Sequence, residues 1–205
     1  RLQHRLIEPF DSQEFSSAYS MKISTIATQI RERIPASAIR VEDYVSTDNM
    51  RPNFGGIDPS SSLPSSGTVT FYRAGDILVS NIRPYFRKTW LATHDGGCNA
   101  DVLCIRSNPA KCIPNFLYYV FTTDNFVNDY LKSCKGAKMP RGDISRLLNY
   151  DFHLPDLPTQ LRIAGLMAQQ AKLLRRFRIH VSIRWSHRLS ISVRRFSISA
   201  TVGIV

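Results

Sequence analysis

The residues best suited to chemistry lie on two short basic loops, and the chemistry they suit is recognition of a polyanion. Lys132, Lys135, Lys138 and Arg141 fall within Lys-Ser-Cys-Lys-Gly-Ala-Lys-Met-Pro-Arg, residues 132–141. Gly136 and Pro140 interrupt any helix or strand there, so the cations sit on a loop edge open to phosphate oxygens. A charge run taken alone is as often a solvated turn. Here a second loop repeats the grammar: Asn81-Ile82-Arg83-Pro84-Tyr85-Phe86-Arg87-Lys88 mixes cations, two aromatics and an asparagine. That mixture suits backbone neutralisation combined with base contact. Arg83, beside the rigid Pro84, is the candidate for a fixed guanidinium fork on a guanine edge; its alternative is a structural ion pair with Asp76 or Asp101. Arg51 and Asn53 open a third candidate loop.

Catalytic constellations do not assemble from the sequence. Neither GxxxxGK[ST] nor GxGxxG occurs, and the Asp/Asn-Pro-Pro-Tyr/Phe tetrapeptide of amino-methyltransferases is missing. His4, His94, His153, His180 and His187 are scattered without local partners. Asp76, Asp95 and Asp101 near Lys88 form the nearest approach to a nuclease site, yet carboxylates and a lysine on neighbouring strands are common in any sheet. Cys98, Cys104, Cys112 and Cys134 lack CxxC or His-Cys spacing, which predicts reduced thiols and no zinc site. No cofactor is expected.

The chain carries 27 Lys+Arg against 16 Asp+Glu, a formal charge of +11. Seven arginines and no acid follow from Arg175 onward, so the first 174 residues hold 20 basic and 16 acidic groups, net +4. The case for a polyanion partner therefore rests on the local clusters rather than the total. No apolar run reaches the roughly 18 residues needed to cross a bilayer, and no secretory signal is visible, which predicts a cytoplasmic protein without membrane contact. The chain begins at Arg1 rather than at a methionine, so residues are expected to precede it.

The elements that must position these loops can be read from periodicity. Ile23, Ile26, Ile30 and Ile34 recur at steps of three and four, predicting an amphipathic helix over 21–34 that ends at Pro35. Tyr44 to Thr47 reads as a short extended piece. Residues 51–67, with three prolines, three glycines and five serines, predict a long exposed loop. Thr68–Tyr72, Ile77–Val79, Trp90–Thr93 and Val102–Ile105 read as strands, with His94-Asp95-Gly96-Gly97 as a tight turn. Helices follow over 115–133, Phe116, Tyr119 and Val120 sharing one face and Asp124 capping a second segment with Phe126, Val127, Tyr130 and Leu131. Asp143 caps a short turn through Leu147-Leu148, and Tyr150–Leu154 is a last strand. From Thr159 a helix is predicted whose Leu161, Ala164, Ala168, Ala171 and Leu174 form an apolar seam near heptad spacing, able to pair with a second copy; the alternative is a helix packed on its own domain. Residues 178–205 alternate apolar and polar residues in the manner of a strand.

The ordered set of these segments resembles the target recognition domain of type I restriction-modification specificity subunits. Five pieces carry the resemblance over roughly residues 20–174: Tyr44–Met50, Gly75–Tyr85, Pro114–Tyr119, Lys135–Arg141 and Leu154–Ala164. The resemblance implies an α+β fold, a curled mixed sheet with flanking helices followed by a long helix. It implies a non-catalytic reader of double-stranded DNA whose methyltransferase and restriction subunits carry the chemistry. In that family two recognition units grip a split site, whereas this chain holds one, so it is expected to act as a half-subunit and to form a homodimer. The expected organisation is a recognition domain at 1–155, a helical arm at 156–177 and a basic tail at 178–205. The expected DNA contacts are Arg51, Asn53, Asn81, Arg83, Tyr85, Arg87, Lys88, Lys132, Lys135, Lys138 and Arg141. The competing functions are a small nuclease or modification-enzyme fragment, and a general RNA or single-strand binder stacking bases on Tyr85 and Phe86.

Overall fold

The computed structural model describes residues 19–136 and 138–173. Leu174 and the tail lie outside them. The strands are β1 (Tyr19–Lys22), β2 (Ala27–Ile30), β3 (Arg33–Pro35), β4 (Tyr44–Val45), β5 (Thr68–Tyr72), β6 (Ile77–Ser80), β7 (Thr89–Leu91), β8 (Gly96–Cys98), β9 (Val102–Ser107) and β10 (Asp151–Leu154). The helices are α1 (Pro114–Thr122), α2 (Asp124–Leu131), α3 (Ile144–Leu148) and α4, residues 157–173. The α+β class stands, with the described strands divided among three sheets. β2-β9-β6-β7 is antiparallel throughout; β3-β5-β8-β4 is mixed, β4 running parallel to β8; β1 pairs with β10 alone.

The helix expected over 21–34 does not form. Its segment instead supplies β1, a 3-10 turn at Ile23–Thr25, β2 and β3. Ile23, Thr25, Ile26, Thr28, Ile30 and Ile34 are β-branched, which weakens a helix and suits a pleated surface. The four isoleucines do not line one helical stripe, since they fall on a 3-10 turn, its C-cap, β2 and β3. Ile23 and Ile26 are fully buried, Ile30 packs against the main apolar cluster, and Ile34 packs against a second one. The main cluster holds Val45, Met50, Tyr72, Leu78, Ala92, Cys98, Val102 and Cys104.

The turn expected at 94–97 is half strand. Gly96 and Gly97 open β8, which pairs with β5 and β4, and both sit where neighbouring atoms leave no room for a side chain. A Cβ at Gly96 would overlap the Asp43 carbonyl and the Tyr72 hydroxyl, and one at Gly97 the Val69 side chain. The expected strand at 44–47 shortens to β4, because Asn49 pulls the chain round. Its Oδ1 accepts from the Ser46 amide at 2.7 Å, while its Nδ2 donates to the Tyr44 and Asp58 carbonyls at 2.9 Å each. The loop beyond is pinned at its far end by Ala36 N donating to Gly67 O at 3.0 Å.

Two expected caps are reassigned or kept by geometry. Thr123, not Asp124, is the N-cap of α2, its Oγ1 accepting from Phe126 N; Asp124 is the first helical residue, where a carboxylate meets the positive end of the dipole. Asp143 caps α3 as expected, accepting from Ser145 N at 2.8 Å. The buried face of α1 is Phe116, Leu117 and Phe121, with Tyr119 and Val120 at its margin.

The fold divides into two units between Ala164 and Gly165. The first holds every strand among the described residues, α1 to α3 and the first two turns of α4. Gln160 anchors those turns: fully buried, it accepts from Ile113 N at 2.9 Å and donates to Lys111 O and Pro155 O at 3.0 and 2.8 Å. The predicted seam is split accordingly, Leu161 lying 61% exposed and Ala164 buried. In the second unit Ala168 and Ala171 are exposed.

Candidate nucleic-acid interface

Three loops far apart in sequence meet as one ridge. Asn53 N donates to Phe86 O at 2.9 Å and Phe54 N to Arg87 O at 3.0 Å, joining the loop after β4 to the loop after β6. Arg83 N donates to Pro140 O at 2.8 Å and Gly142 N to Asn81 O at 3.0 Å, joining the second loop to the third. The third loop is itself closed by Lys135 and Arg141, each amide donating to the other's carbonyl at 3.1 and 2.9 Å. Asn53, Phe54, Arg83 and Arg87 are the non-glycine residues with positive φ among those described, at 53°, 57°, 47° and 54°, and all lie on this ridge. A left-handed backbone at such residues costs on the order of 1 kcal/mol apiece and persists only where surroundings over-determine it. The cross-loop hydrogen bonds supply that determination.

An aromatic column supports the ridge from below. Phe121, Phe126 and Tyr130 stack with centroids 4.7 and 5.9 Å apart, and Tyr150 meets Phe126 edge-on at 5.2 Å. At its end the Tyr130 hydroxyl donates to Asn81 Oδ1 at 2.8 Å. Burial pushes that phenol's pKa up, so it remains a donor. Gly142 must be a glycine, because a Cβ there would overlap the Tyr130 ring and hydroxyl. Neither Tyr130 nor Gly142 was a sequence candidate; the only local signal was Tyr130 on the apolar face of α2.

The expected contact residues fall into two groups. Arg51 pairs with Asp58, Arg87 with Asp124 at 2.7 Å, and Arg141 with Asp101 at 2.9 Å. Lys88 donates to the Thr47 carbonyl at 2.6 Å and lies 5.8 Å from the Phe86 ring centroid. Asn81 serves Tyr130. These side chains brace the ridge. Arg83, Lys132, Lys135 and Lys138 are exposed and make no ion pair or side-chain hydrogen bond among the described residues. The ion-pair alternative for Arg83 meets a direct obstacle: Asp101 is taken by Arg141, and Asp76 by Arg106 through two 2.7 Å bonds. Tyr85 and Asn53 are exposed beside the free cations.

The carboxylates and lysine that sketched a nuclease site are separately employed. Besides Arg106, Asp76 accepts from Arg73 N at 2.8 Å, and Asp95 accepts from Ala74 N at 2.8 Å. No group of three His, Cys, Asp or Glu among the described residues is placed to hold a metal. The cysteines are unpaired, and burial pushes the Cys98 and Cys112 thiols up to about 12. No helix among the described residues is long and apolar enough to cross a membrane.

The family described as the type I restriction modification DNA specificity domain matches residues 56–175, which takes in β5 to β10, two of the three ridge loops and α4. The chain belongs to that family. Among curated relatives, the EcoDI specificity subunit of a type I restriction enzyme from Escherichia coli is 29% identical over 136 residues, covering 62% of this chain and 30% of that protein. The HsdS subunit from Thermoanaerobacter tengcongensis has the same fold, with a TM-score of 0.64 at 21% identity over 80% of this chain and 45% of its own. A chain solved for the assembly and conformational transition of the type I R-M system gives 0.69 at 19% identity, over 89% of this chain and 50% of its own. The specificity-domain chain thus spans half or less of the length of each of these relatives.

Proposed function

We propose that this chain binds double-stranded DNA sequence-specifically, as the specificity half-subunit of a type I restriction-modification system, and is itself non-catalytic. The observation that carries this reading is the ridge: backbone hydrogen bonds join three loops, Arg51, Arg87, Lys88 and Arg141 are engaged by protein groups, and Arg83, Lys132, Lys135 and Lys138 stay uncommitted on its surface. Rigid backbone with unsatisfied cations is what phosphate gripping and base-edge readout need. Under this reading residues 1–155 recognise DNA and residues 156–177 form an arm. The arm pairs with a second copy or a partner helix through Leu161, Ala168, Ala171 and Leu174, Ala164 being taken up by the fold itself. Methyltransferase and restriction subunits supply methylation and cleavage in the cytoplasm, and residues 178–205 add sequence-independent phosphate affinity.

The test is fluorescence anisotropy on a duplex selected by the protein from a random pool, against a scrambled duplex and single strands. Arg83→Ala should lose about 1–3 kcal/mol on the selected duplex and little on the scrambled one. Equal losses on both, or competition by single strands as strong as by duplex, would overturn the reading. Light scattering checks the arm: Leu161→Glu should turn a dimer into a monomer, and a monomeric parent chain would exclude self-pairing.

A further inference from the structure

The Tyr85 and Phe86 rings face each other and solvent, and the Lys88 ammonium lies 5.8 Å from the Phe86 centroid. They sit at the crest of the ridge in a 3-10 turn, 48% and 40% exposed, with ring centroids 4.7 Å apart. The turn does not need their rings. It is held by the buried Pro84, by Phe86 N to Arg83 O and Arg87 N to Pro84 O at 3.0 and 2.9 Å, and by the bonds from Asn53 and Phe54. The Tyr85 side chain makes no hydrogen bond among the described residues. Arg83 precedes the pair, and Lys138 and the 49% exposed Met139 lie just before Pro140, whose carbonyl takes the Arg83 amide. Two adjacent aromatics are thus held out to solvent next to the unpaired Arg83, on a turn to which the segment ending at Pro140, with Lys138, is bonded.

We propose that Tyr85 and Phe86 form an apolar wedge that enters a base step of the bound duplex and unstacks it. The inference rests on the duplex-binding reading and adds a distortion of the DNA to it. Apolar side chains that open a step must overcome stacking, and they do so where cations on both sides neutralise the phosphates that crowd together at the bend. A mount fixed before binding avoids the ordering cost that a flexible loop would carry. A sheet-borne aromatic platform for single strands would show its ring faces on strands; these rings stand instead on a turn between β6 and β7.

The experiment uses the full chain and the duplex it selects from a random pool, with 2-aminopurine placed in turn at each position. Binding should raise the fluorescence at one step. Tyr85→Ala combined with Phe86→Ala should abolish that rise and weaken binding by roughly ten- to a hundredfold, with the salt dependence unchanged. Tyr85→Phe should keep both signal and affinity, and a melting curve for each variant confirms that the turn still folds. Selected duplex bound with no rise at any step, or a rise that survives the double substitution, overturns the wedge and leaves duplex recognition standing. Rings that matter for single-stranded but not duplex affinity overturn it as well. Failure to select or bind any duplex overturns the duplex reading first, and the wedge with it.

Discussion

The paired carboxylate at the start of β6 and the cations of the ridge use charge in opposite ways. Asp76 is almost fully buried and accepts from Arg106, Arg73 N and the Cys104 thiol. Arg83 and the three lysines are held out with none of their side-chain donors engaged among the described residues. The first arrangement ties β6 to β9 and the turn before β6; the second leaves charge available to a ligand. The lesson is that basic residues on one surface cannot be pooled: the number of cations overstates binding capacity wherever an acid stands within reach.

Removing Asp76 should produce the largest effect. Asp76→Ala leaves Arg106 half buried without a partner, along with an orphaned amide. Breaking a buried pair costs about 3–5 kcal/mol, and the partial exposure of Arg106 places this one near the low end. Urea unfolding should show that loss, and a loss under 1 kcal/mol would mean that the pair contributes no more than a surface one. Gly142→Ala comes next, because its Cβ displaces Tyr130 from the aromatic column. Overpacking of this kind costs about 1–3 kcal/mol, and because Tyr130 props Asn81, duplex affinity should fall as well as the melting temperature. Unfolding affected without affinity would separate the column from the ridge. Lys138→Ala should do least. Stability should stay within about 0.5 kcal/mol, and affinity should fall equally on every duplex. The slope of log affinity against log salt should flatten by roughly one unit. An unchanged slope would remove Lys138 from the phosphate contacts.

Much of the ridge was legible because glycine and proline mark loops locally. Residues 51–67, 81–88 and 132–141 were placed correctly on loops by Pro52, Pro84, Gly136 and Pro140. Their union was not legible. Asn53 to Phe86 and Arg83 to Pro140 are backbone bonds between distant segments, and backbone groups are the same in every residue. The split among the cations was hidden for the same reason: nothing near Arg141 in sequence announces Asp101, nor does anything near Arg87 announce Asp124. The isoleucine pattern misled at 21–34 because steps of three and four across two tight turns mimic a helical stripe. The strands β5, β6 and β9, with continuous β-branched and apolar runs, were read correctly. α2 and its buried residues were legible too, although its cap moved by one position to Thr123.

The Asn49 side chain joins the chain leaving β4 to Asp58, and Gly67 is tied to Ala36 before β5 begins. Between these two anchors the backbone from 59 to 66 makes no ladder with any strand. Its ends are fixed by the anchors, not by its own length. Chain length there is therefore uncoupled from the register of both sheets, and doubling a flexible loop costs only about 0.6 kcal/mol in closure entropy. Leu63 packs on the Ala36, Tyr44 and Val69 cluster, so insertions and new side chains are expected to be tolerated on either side of that foothold rather than at it.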